Sequence, residues 1–534
     1  MSPRMNWQKL LSTKRVSEFQ KCSTSISQSQ FTDPRSPYEK DCDQIIYSYP
    51  FRRLQDKTQV IPFPEYDFVH TRLTHSLEVA SIGRSLGKLA FPLIIKELDA
   101  SFRVDNPILA ADIGALVAGA CLAHDIGNPP FGHSGEAAIS YHFTSDNSYF
   151  RPHPNIKDAI KEDDNNFYFN DYDYDNKITV EKPYDKKLMI QKNKIWKDFS
   201  VFEGNANGFR ILTKNCEKGI NPTAALLGTF SKYPREAFLI KKPYEKGKEP
   251  KSFTKHGFFF SERELFAEIA NELGLLSVEG ISDGDLAFHR HPLCYLMEAA
   301  DDIAYGMIDF EDGCRLGLID IDKHYKSFNF INKKGESELV TINNTPLEIL
   351  SNIASIDNSF DSNKITYAEN YKDTISYLRS KVINVLTHEC FQIFKNNYED
   401  IMHGGYMGSL IDDIPSSIKD NLKKMKYLIR KYVYNYRPVL ESEASGFEVM
   451  DALIHSLAIS SDICFSCGEQ ESEKAKKLSS LLPEEYRPKE EKELNSLTDL
   501  EKYDRVLSVL DYVSGMTDNY AMALYRKIKG ISHR

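Results

Sequence analysis

His124 and Asp125 stand side by side at the end of an apolar run, in Cys121-Leu122-Ala123-His124-Asp125-Ile126-Gly127-Asn128. An adjacent imidazole and carboxylate can close on one metal ion if further ligands arrive from elsewhere. The chain offers two. His75 lies in Arg72-Leu73-Thr74-His75-Ser76-Leu77, and Asp301 lies in Glu298-Ala299-Ala300-Asp301-Asp302-Ile303. Two histidines and two aspartates suit a divalent ion of the manganese, iron, zinc or magnesium kind, with positions left for water and a phosphate oxygen. A lone histidine on an apolar helix is usually a core residue with its nitrogens satisfied. The neighbouring Asp125 and the Asp301-Asp302 pair make the joint pattern read as a site.

Two further sets carry chemistry. His133 and Glu136 follow the His-Asp pair after Pro129-Pro130-Phe131-Gly132. Glu136 could orient His133 beside the metal as an acid or base; the plainer alternative is a helix N-terminus capped by Ser134, and both can hold. Asp301, Tyr305 and Asp309 recur every fourth residue, hence on one helical face. A phenol ring there can stack on a sugar and refuse an extra hydroxyl, and a carboxylate can accept from a 3′-hydroxyl. The alternative is that Tyr305 and Asp309 are ordinary face residues.

Helices must position these groups. Leu73, Leu77, Ala80, Ile82, Leu86, Leu89 and Ala90 predict an amphipathic helix. Ile108 to Leu122 predicts a nearly all-apolar core helix ending at His124, and Pro292 to Phe310 a third helix. Alternating patterns are few, so the fold class is mainly α. Residues 145–200 are rich in Asp, Asn, Tyr and Lys, lack a clear core face and read as a surface insertion. Residues 321–372 are polar, with short alternating pieces such as Leu339-Val340-Thr341-Ile342 that predict a small hairpin. Helical spacing resumes near Thr374 and runs to Ile531, with a charged hinge at Glu471 to Glu493. The division expected is an N-terminal segment 1–50, a catalytic core 51–320 carrying the 145–200 insertion, a small insertion 321–372, and a helical C-terminal region 373–534 that completes the pocket and the subunit contacts.

A length of 534 residues with 41% apolar and 27% charged residues fits a globular protein of two or three subdomains. The net charge of −10 argues against a wholly basic nucleic-acid wrapper. No run of about eighteen uncharged apolar residues predicts a membrane span. Met1 to Trp7 lacks the apolar stretch of a secretion signal, and scattered cysteines with apolar neighbours at Cys121 and Cys294 fit a reducing cytoplasm. Cys464 and Cys467 form a lone CxxC, a weak zinc signal without a second pair.

These motifs in this order resemble the HD superfamily of metal-dependent phosphohydrolases and, more narrowly, bacterial deoxyguanosine triphosphate triphosphohydrolases. The resemblance runs from Asn6-Trp7-Gln8 and Phe51-Arg52-Arg53-Leu54-Gln55-Asp56-Lys57 through His70 to Ser76, His124 to Glu136, Phe202-Glu203-Gly204-Asn205-Ala206 and Glu298 to Tyr305. It returns in Asp511-Tyr512-Val513-Ser514-Gly515-Met516-Thr517-Asp518. It implies an all-helical HD fold with a helical C-terminal elaboration. The implied reaction is hydrolysis of a deoxynucleoside triphosphate, dGTP first, to the deoxynucleoside and inorganic triphosphate by attack of a metal-polarised water at the α-phosphorus. It implies His75, His124, Asp125 and Asp301 as metal ligands and His133 with Glu136 as the catalytic pair. Gln59 and Asp309 would meet the 3′-hydroxyl, Tyr305 would lie under the deoxyribose, and Arg72, Asn205, Lys232 and Tyr233 would surround the triphosphate.

The implied metal is manganese or magnesium, with iron, cobalt or zinc as alternatives. The implied assembly is a homo-oligomer, a hexamer before a tetramer, in the cytoplasm and away from membranes. A deoxynucleotide effector and single-stranded DNA are further implied partners. The chain departs from the family pattern at Asn207-Gly208 and in the long stretch before Phe202. Two other readings remain. One is another HD-superfamily nucleotide phosphohydrolase, which would not need the Gln59, Tyr305 and Asp309 set. The other is a nucleotide or single-strand sensor, which would tolerate loss of a ligand or of His133, and none is lost.

Overall fold

The computed structural model describes the chain except residues 1–2, 22–32, 62–68, 145–167, 174–177, 184–185, 215, 217–218, 246, 327, 332–336, 363–364, 366–370, 466–472, 488–496 and 532–534. The fold is mainly α, and among the described residues the β structure is two small antiparallel hairpins and isolated bridges such as Thr58 with Thr71. Helix α1 (Arg72–Glu97) starts at a reciprocal capping box, in which Thr71 and Thr74 each accept the other's backbone N–H. Helix α2 (Ala110–Ala123) is buried on nearly every side from Ile113 onward, as its all-apolar sequence requires. Helix α3 (Gly132–Thr144) follows the Pro-Pro turn, and α4 is Gly204–Thr213. Helix α5 (Pro292–Arg315) has Pro at its first position, where a missing N–H costs nothing, and His291 accepts the Leu293 N–H. Helices α6 (Tyr371–Asn396), α7 (Arg437–Phe465), α8 (Asp499–Ser514) and α9 (Asp518–Lys529) complete the part that matters to the site.

The core forms in two masses. The larger gathers Trp7 and Leu10 with Leu86, Val117, Leu296, Ile308, Leu378 and Phe394, so the N-terminal residues pack with α1, α2, α5 and α6. The smaller gathers Phe143, Phe199, Leu453, Leu457, Leu507 and Val513 from α3, α7, α8 and the helix Lys186–Ser200. Cys121 and Cys294 are fully buried. No helix among the described residues is long and apolar enough to cross a membrane.

Three expectations change. Leu77 is 49% exposed, and the buried stripe of α1 runs through Arg72, His75, Ser76, Val79, Ile82, Leu86 and Ala90. Apolar spacing alone put the stripe out of phase at its start, because the polar residues there face the site. The polar stretch before Phe202 does have a core face: Lys186–Ser200 is a helix that buries Ile195 and Phe199, while β1 (Tyr168–Asp173) and β2 (Ile178–Pro183) pair antiparallel. Residues 321–372 contain the expected hairpin, β3 (Phe328–Ile331) with β4 (Ser337–Val340), but also a capped helix at Pro346–Ala354. Cys467 of the CxxC pair lies outside the described residues.

Glycines let α1 and α2 touch backbone to backbone, which brings His75 and His124 together. A Cβ on Gly87 would sit 2.6 Å from the Ile113 carbonyl oxygen, and one on Gly83 would sit 2.4 Å from Cys121 Sγ. Gly87→Ala should therefore destabilise the protein by roughly 1–3 kcal/mol through overpacking, although alanine is the better helix former by about 1 kcal/mol. An unchanged denaturation midpoint would show that the helices separate freely.

Candidate active site

Three helices deliver the four sequence-predicted ligands to one point. His75 projects from the first turn of α1, His124 and Asp125 close α2, and Asp301 lies in the middle of α5. The His75 Nε2 lies 3.2 Å from Asp301 Oδ1. The His124 Nε2 lies 3.4 Å from the same oxygen and 3.5 Å from Asp125 Oδ1. Donor atoms of His75, His124 and Asp125 all fall within 4.8 Å of one another. His124 Nδ1 sits 2.7 Å from the Cys121 carbonyl oxygen, which can only accept. That bond puts the proton on Nδ1 and leaves the Nε2 lone pair facing the carboxylates. His124 Nε2 and His75 Nδ1 are buried without a hydrogen-bond partner. A lone pair aimed at two carboxylates is repulsive unless a cation lies between them, so the donor set fits a divalent metal.

Each carboxylate turns its other oxygen to a fixed cation. Arg72 donates to Asp125 Oδ2 at 2.7 Å, and Lys232 donates to Asp301 Oδ2 at 2.5 Å. Asn128 Nδ2 donates to Asp125 Oδ1 at 2.6 Å. Burial pushes both carboxyls up, but His124 and Arg72 outweigh it at Asp125, and Lys232 and His124 outweigh it at Asp301; both stay ionised well below the usual range. Burial lowers the His124 imidazole and the two aspartates more than reverse this, so its proton affinity is raised. The centre attracts positive charge.

A cavity of about 380 Å³ opens beside this centre, and Gln59, Arg72, His133, Tyr305, Tyr434 and Glu443 contribute to its wall. Gln59 Oε1 is buried there without a hydrogen-bond partner. Tyr305, one turn beyond Asp301, sets its ring 6.4 Å from that of His75. The Tyr434 hydroxyl donates to Asp309 Oδ2 at 2.6 Å, and the Tyr305 hydroxyl lies 2.9 Å from it, placed to donate to the Tyr434 oxygen. Burial pushes the Asp309 carboxyl up to about 7, against the Tyr434 hydrogen bond.

His133 is exposed at the cavity wall. Glu136 does not reach it. Its Oε1 instead accepts the Gly204 N–H at 2.7 Å, tying α3 to the start of α4, and no hydrogen bond joins His133 to Glu136 among the described residues. Asn205 stands in that first turn of α4 and hydrogen-bonds Glu203. Lys232 is committed to Asp301, and the Tyr233 ring lies 5.9 Å from the Arg290 guanidinium.

Sequence reasoning missed several residues. Lys255 donates to Glu203 at 2.7 Å, in a group where burial and then the Glu136 charge push Glu203 up to about 7. Neither Lys255, in Thr254-Lys255-His256, nor Tyr434, in Tyr432-Val433-Tyr434-Asn435, sits in a spacing that marks a site. Tyr434 follows the π-helical turn Ile429–Val433, a local distortion that a regular periodicity search cannot anticipate.

A mainly helical protein that converges two imidazoles and two carboxylates beside an open pocket has the makings of a metal-dependent hydrolase. Residues 413–527 match the family described as phosphohydrolase-associated domain. A deoxyguanosinetriphosphate triphosphohydrolase-like protein of Synechocystis is 36% identical over 99% of this chain and 100% of its own length. A protein of the same name from Listeria monocytogenes is 33% identical over 99% and 100%. A deoxyguanosinetriphosphate triphosphohydrolase of Klebsiella pneumoniae is 28% identical over 92% and 94%. The chain belongs to the deoxyguanosinetriphosphate triphosphohydrolase-like family of the HD superfamily.

Asp309 gives a pH signature separate from the metal centre. Its folded-state pKa of about 7 lies above the usual carboxyl value, so its favourable contribution is complete at acid pH and lost as pH rises through 7. Asp309→Asn should gain stability relative to the parent from pH 4 to 7, with the gain level above that. Melting curves in which the two proteins stay parallel across this range would contradict the shift.

Proposed function

We propose that the protein hydrolyses deoxynucleoside triphosphates, dGTP first, to the deoxynucleoside and inorganic triphosphate. The observation that carries this reading is the His75, His124, Asp125 and Asp301 cluster with its free imidazole lone pair, set beside a pocket walled by Gln59, Tyr305 and Tyr434. Those four residues would hold a divalent metal, manganese or magnesium, which would supply charge neutralisation at the α-phosphorus and lower the pKa of the attacking water.

The chain's own groups do the rest. Water adds to the α-phosphorus as the bond to the 5′-oxygen breaks, and His133 at the wall gives a proton to the departing 5′-oxygen and regains the one the water loses. Arg72, Lys232 and Lys255 hold positive charge along the phosphate side, with Asn205 and Tyr233 as hydrogen-bonding neighbours. Gln59 and Asp309 receive the 3′-hydroxyl: the Gln59 oxygen has no other partner, and Asp309 exchanges the Tyr434 hydroxyl for that of the sugar. The Tyr305 ring occupies the space that a 2′-hydroxyl would need. Glu443 in the cavity wall favours guanine, whose N1–H and N2–H both donate, over bases that present an acceptor at that edge.

The test is product analysis by anion exchange with manganese and dGTP, dATP, dCTP, dTTP and GTP. Deoxyguanosine with intact triphosphate from dGTP is the expected result. Stepwise release of phosphate or pyrophosphate would rule the reading out. His133→Ala should keep nucleotide affinity and lose turnover by on the order of a hundredfold; weaker binding at full turnover would remove His133 from proton transfer. Tyr305→Ala should admit GTP, and continued rejection would place the sugar gate elsewhere.

A further inference from the structure

No residue of the Asp511–Asp518 segment is among those that line the cavity, yet its last residue reaches both walls. Asp518 opens α9 but is not needed to cap it, because Thr517 already accepts the Tyr520 N–H. Its carboxylate is 1% exposed and turns away from its own helix. Oδ2 accepts the Thr58 N–H at 2.9 Å, and Oδ1 accepts the Phe131 N–H at 3.0 Å. Thr58 is the residue before Gln59. Phe131 is two residues before His133.

The Phe131 side of this bridge is conformationally demanding. Phe131 has a φ of 61°, a left-handed conformation that a bulky residue avoids, and Gly132 follows at 55°. The turn therefore needs an outside partner to hold it, and the Asp518 oxygen provides one. Neighbouring bonds run the same way. Lys57 Nζ donates to the Asn128 and Ser514 carbonyls, and Asn207 Nδ2 donates to the Gly127 carbonyl and Ser514 Oγ. At the surface, Arg53 donates to the Gly515 carbonyl and Asn519 donates to Asp56. The turn between α8 and α9 thus bridges 57–59, which carries Gln59, and 127–133, which carries His133, two segments that Lys57 also joins directly through the Asn128 carbonyl.

We propose that Asp518 is a positioning residue that fixes Gln59 and His133 relative to each other through the Thr58 and Phe131 amides. The proposal rests on the dGTP-hydrolase reading above. A carboxylate suits this place because it accepts two N–H bonds at once. An amide offers one acceptor and turns an NH2 group toward the second donor. Loosening either arm displaces a group that must meet the sugar or the 5′-oxygen, and a misplacement of about 1 Å can cost on the order of a hundredfold in rate.

The experiment uses the full chain with manganese, comparing the parent with Asp518→Asn and Asp518→Glu on dGTP, 2′,3′-dideoxy-GTP and GTP. Both variants should fold, and kcat for dGTP should fall by on the order of tenfold to a hundredfold. The preference for dGTP over the dideoxy analogue should shrink several-fold, because Gln59 no longer meets the 3′-hydroxyl in register. Rejection of GTP, which rests on Tyr305, should not move. An unchanged preference for the 3′-hydroxyl, with or without loss of rate, would overturn the proposal. Unfolding of both variants would overturn it as well, by making Asp518 a residue of the fold alone. An inactive parent would sink the dGTP reading and this proposal with it, whereas an active parent beside unaffected variants would sink this proposal alone.

Discussion

Two carboxylates and two imidazoles meet within 3.2–3.5 Å at the junction of α1, α2 and α5, and the surrounding architecture serves to hold that mutual repulsion in place. In a buried site such charges interact far more strongly than in water. The chain manages this by giving each aspartate a divided role. One oxygen of each faces inward, and the other is neutralised by a residue from elsewhere, Arg72 for Asp125 and Lys232 for Asp301. The two inward oxygens are left facing the point where the His124 lone pair also arrives. Glycines at the α1–α2 contact follow from the same need, because larger residues would move His75 away from His124.

Much of the centre was legible from the sequence, for a physical reason. A helix end that changes abruptly from apolar to His-Asp has few structural explanations, and α2 is such a helix. The third helix was equally legible, since Asp301, Tyr305 and Asp309 repeat with its turn. What could not be read were partners that meet only in three dimensions. Glu136 stands three residues from His133, as a pair on one helix would, but α4 offers it a backbone amide instead. Lys255 and Tyr434 come from irregular segments, where no period links a residue to its direction. Leu77 shows the converse error, an apolar residue on a polar face, because the site borrows the start of the buried stripe of α1 for Arg72, His75 and Ser76.

The resemblance to dGTP hydrolases orders the motifs, but the electrostatics explain why they are distributed so widely. Lys232 and Lys255 lie in segments that have little regular structure, whereas the ligands sit on helices. That division is sensible. Converging donors need fixed backbones, while a lysine on its long stem reaches its carboxylate from an irregular segment, as Lys232 reaches Asp301 and Lys255 reaches Glu203. Lys232 bridges the two regimes, since it is buried against Asp301 and close enough to the centre to balance its charge.

The C-terminal third then has a role beyond bulk. The larger core packs α1, α2 and α5, which carry the His75, His124, Asp125 and Asp301 cluster, and the smaller packs α3, α7, α8 and α9, so the pocket lies on the seam between them. Tyr434 and Glu443 reach it from the C-terminal side, and Gly446 gives Phe131 room to pack, since a Cβ there would lie 2.6 Å from the ring. A pocket on a seam has walls that two separately packed masses could shift independently. Polar bonds across the seam, from Asp518 to Thr58 and from Lys57 to Ser514, restrict that freedom where apolar packing alone would permit sliding. Direction-dependent bonds fix a register, whereas apolar contact fixes only proximity.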